Sequence, residues 1–375
     1  MTAMPDPLDR LRLARTEGVG PVAFRRLLAR FGTAGAALDA LPRLARAVGR
    51  SAPPRIPSPD AARREQDRVA ELGGHLLFLG EPGYPALLAQ LDDAPAVLTV
   101  LGDPALLAAR AVAIVGSRNA SANGQRLAET LAGDLAAAGL VVVSGLARGI
   151  DSAAHKGALR SGATVACIAG GIDVVYPPEN KALQARIAVA GAVVAESPPG
   201  TAPQARHFPR RNRIIAGLSL AVVVVEAAPR SGSLITARLA AEAGREVFAV
   251  PGSPLDPRSR GANGLIRDGA HLTETAQDVL DNLPADGSPR RFRLELSEAA
   301  VEALAGDELP AGEHASVLAA LLDLLGPAPT SVDDLIRRCQ LSGPAVLSVL
   351  LDLEIAGRIE TLPGNRVALL GGADP

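Results

Sequence analysis

Two short unbroken apolar runs, Ala-Val-Ala-Ile-Val at 111–115 and Leu-Val-Val-Val at 140–143, flank a segment of helical spacing, and each run leaves into a glycine turn. Runs of this kind suit strands buried on both faces of a parallel sheet, because a half-exposed strand would alternate apolar with polar. Between them, 125–138 puts Leu127, Leu131 and Leu135 on one helical face, and Gly139 stands where a helix C-terminal glycine belongs. The unit reads β-α-β. Its turns are Gly116-Ser117-Arg118 and Ser144-Gly145-Leu146-Ala147-Arg148-Gly149. In a doubly wound sheet such turns lie side by side at the carboxyl ends of the strands, where backbone N–H groups and helix N-termini converge on anions. Arg118 and Arg148 then stand on the two lips of that edge.

The alternation continues with strands expected at 164–169, 192–195, 221–225 and 247–250, the last of the core, and helices between them, the mark of an α/β doubly wound sheet. Earlier strands at 75–79 and 95–102 extend it. A dinucleotide fingerprint needs G-x-G-x-x-G after the first strand, and Gly116-Ser117-Arg118-Asn119-Ala120-Ser121 lacks the second and third glycines, which disfavours a tightly held pyrophosphate. A third loop, Arg230-Ser231-Gly232-Ser233, opens another helix with hydroxyls and amides for an anion. Asp151 or Ser152 is expected to cap the helix after Gly149. His155, beside that loop, reads as a structural hydrogen-bonder, since no acid or nucleophile stands with it as a triad would require.

The segment His207-Phe208-Pro209-Arg210-Arg211-Asn212-Arg213 sets three arginines and an asparagine beside a phenylalanine in a chain where aromatics are 2% of residues. Phosphates need fixed positive forks and a base needs a flat apolar face, so Phe208 among Arg210, Arg211 and Arg213 has the chemistry of single-strand binding. A core phenylalanine before a helix with a solvated arginine face fits the same composition.

At 375 residues the chain is long enough for two or three domains, and a net charge of -2 confines any anion site to a local patch. Two cysteines, Cys167 and Cys339, make no disulfide scaffold, and no Cys or His cluster has metal-ligand spacing. Neither a metal nor a cofactor is expected. MTAMPDPLDR lacks an apolar signal core and no run approaches membrane-spanning length, so the expected compartment is the cytoplasm.

Residues 1–50 read as short helices at 8–16, 22–31, 34–41 and 44–48, a small domain resembling SAM or helix-hairpin-helix modules. Its Glu17-Gly18-Val19-Gly20-Pro21 is either a phosphate-holding hairpin or an ordinary tight turn. Arg25, Arg26 and Arg30 beyond it are either a DNA-facing or a solvated face. A proline-rich linker at 51–60 leads into the central domain, 61–283, and a breaker-rich linker at 284–311 follows it. Residues 312–375 then read as a winged helix: helices at 315–325, 332–339 (capped by Ser331) and 345–356 (capped by Ser342), and a hairpin of 358–362 with 365–369 through Pro363-Gly364. Winged helices often read DNA through their third helix. Here that helix carries Asp352 and Glu354 and no Lys or Arg, which favours a protein contact or a regulatory lid.

The stretches AIVGSRNAS (113–121), VSGLARGIDSAAHKGAL (143–159), AGGIDVVYPPEN (169–180), HFPRRNRIIAGLS (207–219), VEAAPRSGSLITARLAAEAGREVFAVPG (225–252) and GANGLIRDGA (261–270) together resemble the DNA-processing protein A (DprA, or Smf) family of bacterial natural transformation. The resemblance implies an extended Rossmann-like domain that binds single-stranded DNA without sequence preference, forms a homodimer, and loads RecA recombinase while displacing single-strand-binding protein, with no catalytic reaction. It implies that Gly116, Ser117 and Arg118 with Ser144, Gly145 and Arg148 hold phosphates. It also implies that Phe208 stacks on a base while Arg211 and Arg213 supply charge. Arg210, Asn212, Ser231, Gly232 and Ser233 complete the expected phosphate-binding set. On this reading Arg118→Ala or Arg211→Ala weakens strand binding and leaves the fold intact. A nucleotide-processing enzyme of the phosphoribohydrolase kind stays open beside it, with Glu196 and Glu226 at strand ends as its candidate carboxylates. A winged-helix regulator with a nucleotide-sensing domain is a third reading, which the acidic third helix makes unattractive.

Overall fold

A computed structural model describes residues 6–47, 53–284, 311–326, 328–339, 343–362 and 366–370. The chain begins with α1 (Pro7–Ala14), whose first amide Leu8 N–H is capped by Asp6 Oδ1 at 2.9 Å, then α2 (Pro21–Phe31) and α3 (Ala34–Ala47). The third helix runs unbroken through Pro42, where two helices, 34–41 and 44–48, are expected from sequence. Its apolar face Ala37, Leu38, Leu41, Leu44 and Ala45 is buried on both sides of the proline, and this packing outweighs the one ladder bond that Pro42 removes. Residue 48 and the start of the 51–60 linker lie outside the described residues.

After α4 (Pro59–Glu71) come β1 (Gly74–Phe78), α5 (Ala86–Ala89), β2 (Val97–Gly102), β3 (Ala111–Gly116), α6 (Ala122–Ala137), β4 (Val141–Ser144), α7 (Ile150–Ser161), β5 (Thr164–Gly171), α8 (Lys181–Ala190) and β6 (Ala192–Ser197). Then follow α9 (His207–Gly217), β7 (Ala221–Val225), α10 (Gly232–Glu242), β8 (Glu246–Ala249), α11 (Arg260–Arg267), β9 (His271–Leu272) and α12 (Ala276–Leu280). The strands form one sheet in the order β1-β2-β6-β5-β4-β3-β7-β8-β9. It is parallel from β6 to β9, and β2 joins β6 antiparallel. The two-residue β9, beyond the strand expected to be last, is too short to carry a sequence period.

Strand alternation sends Val112 and Ile114 to one face, against Leu131 and Leu135 of α6 and Ile150 and Ala154 of α7. Ala113 and Val115 go to the other, against Ile214 and Ile215 of α9 and Ala237 and Ala240 of α10. Both faces are covered, as the apolar runs require.

The C-terminal residues form α13 (Ala311–Leu324), β10 (Thr330–Ser331), α14 (Val332–Cys339), α15 (Gly343–Ile355), β11 (Ile359–Leu362) and β12 (Arg366–Leu369), a winged helix with sheet order β10-β12-β11. Ser331, expected as a helix cap, directly precedes α14 and lies in β10, an edge strand of this sheet, paired with Arg366. The linker expected at 284–311 lies, apart from its two ends, outside the described residues, as do Ser342 and Pro363-Gly364. Contacts divide the chain into two units, residues 1–64 with 293–375, and residues 65–292. The two flanking regions, expected as separate domains, thus belong to one unit. Among the described residues no helix is long and apolar enough to cross a membrane.

Candidate nucleic-acid interface

The central sheet reverses its winding direction around β3, which lies between β4 and β7, so the crevice at the carboxyl ends of these strands is where a doubly wound sheet receives ligands. The loop after β3 is drawn tight there. Ser117 N–H donates to Glu226 O at 2.7 Å, and a Cβ on Gly116 would stand 2.6 Å from Ile150 Cγ1. Glu226 itself adopts φ 52°, and its carboxylate accepts from Ser121 N–H at 2.8 Å and from the Ser121 hydroxyl, fixing the start of α6.

The loop after β4 is held by buried polar groups. Leu146 is left-handed at φ 54°, a conformation that persists only when its surroundings impose it. Its N–H donates to His155 Nε2 at 3.3 Å, and its carbonyl accepts from Asn180 Nδ2 at 2.8 Å. These partners leave the imidazole proton on Nδ1, donated to Thr164 Oγ1 at 2.7 Å, whose hydroxyl donates to Val142 O at 2.6 Å. Burial, with Arg211 nearby, pushes the His155 pKa down to about 3, so the ring is a neutral hydrogen-bonder, as expected from sequence. Asp151 accepts from the Gly145 and Ala147 amides at 3.2 and 3.3 Å, and Ser152 Oγ donates to Ala147 O at 2.6 Å. Neither caps α7, whose N-cap is Gly149; they tie the preceding loop instead.

Beneath this loop lies Arg211, 5% exposed, beside Asp151, 6% exposed. Arg211 Nη1 donates to Cys167 O at 2.9 Å, while its buried Nε has no hydrogen-bond partner among the described residues. Burial raises the Asp151 carboxyl above the usual range, and Arg211 opposes that rise.

Two adjoining cavities open here. One, of about 430 Å³, has Arg148, Val174, Tyr176, Pro177 and Pro203 on its walls. The other, of about 510 Å³, has Gly116, Ser117, Asn212, Arg230, Ser231, Gly232 and Ser233. They share Arg118, Phe208 and Arg211. The half-buried Phe208 ring carries the Arg118 guanidinium at 4.9 Å from its centroid, within cation–π range, and tilts at 59° to Tyr176, 5.8 Å away.

The crevice therefore gathers Gly116, Ser117, Arg118, Gly145, Arg148, Phe208, Arg211, Asn212, Ser231, Gly232 and Ser233 from the expected set. Three members fall elsewhere. Ser144 is fully buried and donates to Ile114 O at 2.6 Å. Arg210 is exposed and lines neither cavity. Arg213 is buried in contact with Glu196, at 2.5 Å from Nη2, and with Asp93. The backbone corrects a further expectation: the Ser117, Gly145, Leu146 and Ala147 amides already have protein acceptors, so the charge on this rim comes from guanidinium groups. Sequence reasoning missed Tyr176, whose signal was being one of only two tyrosines in the chain, placed just past a buried strand. The carboxylates required by the enzyme reading line neither cavity: Glu196 pairs with Arg213, and Glu226 accepts from Ser121.

Gly145 tests how tightly this floor is packed. A Cβ there would stand 2.5 Å from Arg211 Cζ and 2.7 Å from Asp151 Oδ2, whereas one at Gly232 would meet nothing within 4 Å. Gly145→Ala is expected to cost about 1–3 kcal/mol by overpacking and Gly232→Ala close to nothing, read as urea midpoints.

Comparison with known proteins agrees with this architecture. Residues 75–284 match the family described as DNA recombination-mediator protein A, residues 5–67 the DprA-like N-terminal HHH domain, and residues 305–365 the DprA winged helix domain. DNA processing protein DprA of Bacillus subtilis is 44% identical over 233 residues, covering 62% of this chain and 76% of the relative. The X-ray structure of DNA processing protein A from Streptococcus pneumoniae superposes with TM-score 0.61 at 37% identity, covering 75% of this chain and 99% of that one. A structure of the Helicobacter pylori protein, described for its unique single-stranded DNA binding mode, gives TM-score 0.51 at 32% identity over 56% of this chain and 97% of that one. With more than half of its length in the recombination-mediator match and a helical module and a winged helix of the same kind on either side, the chain belongs to the DNA-processing protein A (DprA/Smf) family.

Proposed function

We propose that this protein binds single-stranded DNA in the crevice at the carboxyl ends of β3, β4 and β7 and, without catalysing a reaction, passes the strand to RecA recombinase. The observation that carries the reading is Phe208, on the wall common to two cavities, with Arg118 over its ring and Arg211 lining both. One cavity is walled by Tyr176, Val174 and prolines and suits a base. The other is rimmed by serines, Asn212 and Arg230 and suits phosphate. The unpartnered Arg211 Nε is a buried donor with capacity for a ligand acceptor. The likeness to the Helicobacter pylori protein supports the same ligand. Displacement of single-strand-binding protein and dimerisation through the central domain complete the proposed role.

Fluorescence polarisation with oligo-dT, a duplex of equal length and thymidine monophosphate as competitor tests the ligand. Oligo-dT should bind best, with log affinity falling against log salt at about -0.7 per phosphate contacted. Phe208→Ala should weaken it by about 1–3 kcal/mol through lost stacking. Mononucleotide competing at equal concentration, or an unchanged affinity in Phe208→Ala, overturns the reading. For the hand-over, RecA filament formation on strands coated with single-strand-binding protein should accelerate with the native protein and fail to do so with Phe208→Ala.

A further inference from the structure

The third helix of the winged helix, α15, is covered on both sides. Val346, Val349, Leu350 and Leu353 pack into the winged-helix core. Leu351, Asp352 and Glu354 lie outside that core yet are only 2, 3 and 8% exposed, because α15 packs against α2 and α3 of the N-terminal helical module, which belongs to the same unit. The helix that a winged helix would use in a DNA groove is therefore occupied.

What α15 meets is basic. Asp352 Oδ1 lies 3.8 Å from Arg30 Nη1, and Arg26 Nη1 donates to the Leu347 carbonyl at 3.3 Å. Glu354 stands over the hairpin that opens α2: a Cβ on Gly20 would come within 2.9 Å of its Oε1. That end of α2 has Gly20 as N-cap, no side-chain cap and no acidic residue in its first turn, so its partial positive charge has no acid of its own. A carboxylate from α15 is placed beside it, and a second beside the arginine face. Two acids on one otherwise uncharged helix thus meet the hairpin end and Arg30 of the helix behind it.

We propose that α15 is a protein-binding helix whose partner is the basic face of the N-terminal helical module, and that Asp352 and Glu354 hold this face closed to duplex DNA. The carboxylates take the positions that backbone phosphates would take against Arg30 and the hairpin, and the Leu347 carbonyl takes that position against Arg26, so the winged helix and the duplex compete for one surface. This is independent of the single-strand site in the central domain, since none of these residues lines either cavity.

The test uses the full chain with isosteric neutral substitutions, Asp352→Asn with Glu354→Gln, in parallel with Arg26→Gln and Arg30→Gln. Hydrogen exchange over residues 21–31 and 343–355 reads docking, and polarisation with a short duplex reads access. A Phe208→Ala background lowers the contribution of the central crevice. Both pairs should speed exchange across the interface. Only the Asp352/Glu354 pair should gain duplex affinity, by about tenfold or more at moderate salt, as expected when about two phosphate contacts become available. Oligo-dT affinity without the Phe208 change should be unaltered. Unchanged exchange in the Asp352/Glu354 pair would show that the carboxylates do not hold the helix and would overturn the proposal. Released exchange without a gain for duplex would overturn it as well, because the uncovered face would then not be a DNA surface.

Discussion

Arg211→Met should destabilise the protein by about 3–5 kcal/mol at neutral pH, the cost of leaving a buried charge without its partner. Arg211 and Asp151 are 5 and 6% exposed, and Asp151 also holds the Gly145 and Ala147 amides. With the guanidinium gone, burial still raises the Asp151 carboxyl, and its strongest opposing influence is lost. A carboxyl whose folded-state pKa lies above its unfolded value contributes stability in acid, below the unfolded value, and loses it as pH rises through the folded value. The deficit of Arg211→Met should therefore be small near pH 4 and larger at pH 7.5. Urea denaturation of both proteins at the two pH values measures it, and the desolvation of His155, common to both, largely cancels in the difference. A deficit independent of pH would mean that Asp151 is not the group left exposed to the loss. Sequence reading expects Arg211→Ala to weaken DNA binding with the fold intact; the burial of Arg211 beside Asp151 adds an expected loss of stability. The crevice floor and the fold share one arginine.

That exchange of roles shows where sequence was informative. The apolar runs at 111–115 and 221–225 fixed the buried parallel sheet, because five consecutive apolar residues leave no polar face to turn toward water. The glycine turns located the crevice, since Gly116 is pressed against Ile150 and the carbonyl of Val225. Which backbone groups remained for a ligand was not legible. Asp151 and His155 are six and more residues from the amides they satisfy at the start of the loop, or reach them across a turn, and only coordinates show that the Gly145, Leu146 and Ala147 N–H groups are taken. Tyr176 is brought to Phe208 by the path of the chain beyond β5, over a separation of 32 residues that no local period spans. The pairing of α2 with α15 is longer still, joining Arg26 to Leu347 across 321 positions. Local pattern specified elements and turns, and long-range burial decided which charges faced a ligand.

The arginine two positions further along α9 separates the two roles most sharply. Residues two apart on a helix point about 200° apart, so Arg213 faces away from the crevice that Arg211 lines. It meets Glu196 through Nη2 at 2.5 Å, donates to the Asp93 carbonyl through Nη1, and has Asp93 Oδ2 at 3.7 Å from Nε. Burial opposes its charge, but Glu196 and Asp93 more than compensate and keep its pKa raised. Arg213→Met leaves two carboxylates facing each other without a cation, at an expected cost of about 3 kcal/mol, the lower end of the range for breaking buried pairs. The lower end applies because the Glu196 and Asp93 side chains are 26 and 22% exposed and can recruit water, which Asp151 cannot. Arg213→Lys should recover only part of the loss, since one ammonium cannot replace a fork reaching two acids and a carbonyl. Affinity for oligo-dT, measured on the folded fraction, should be unchanged in both variants, with the same salt dependence. If Arg213 instead contacted a phosphate, Arg213→Met would keep its urea midpoint and lower the magnitude of the salt slope by about 0.7. The two outcomes differ in both measurements, so one variant decides whether the third arginine of this helix serves the strand or the sheet beneath it.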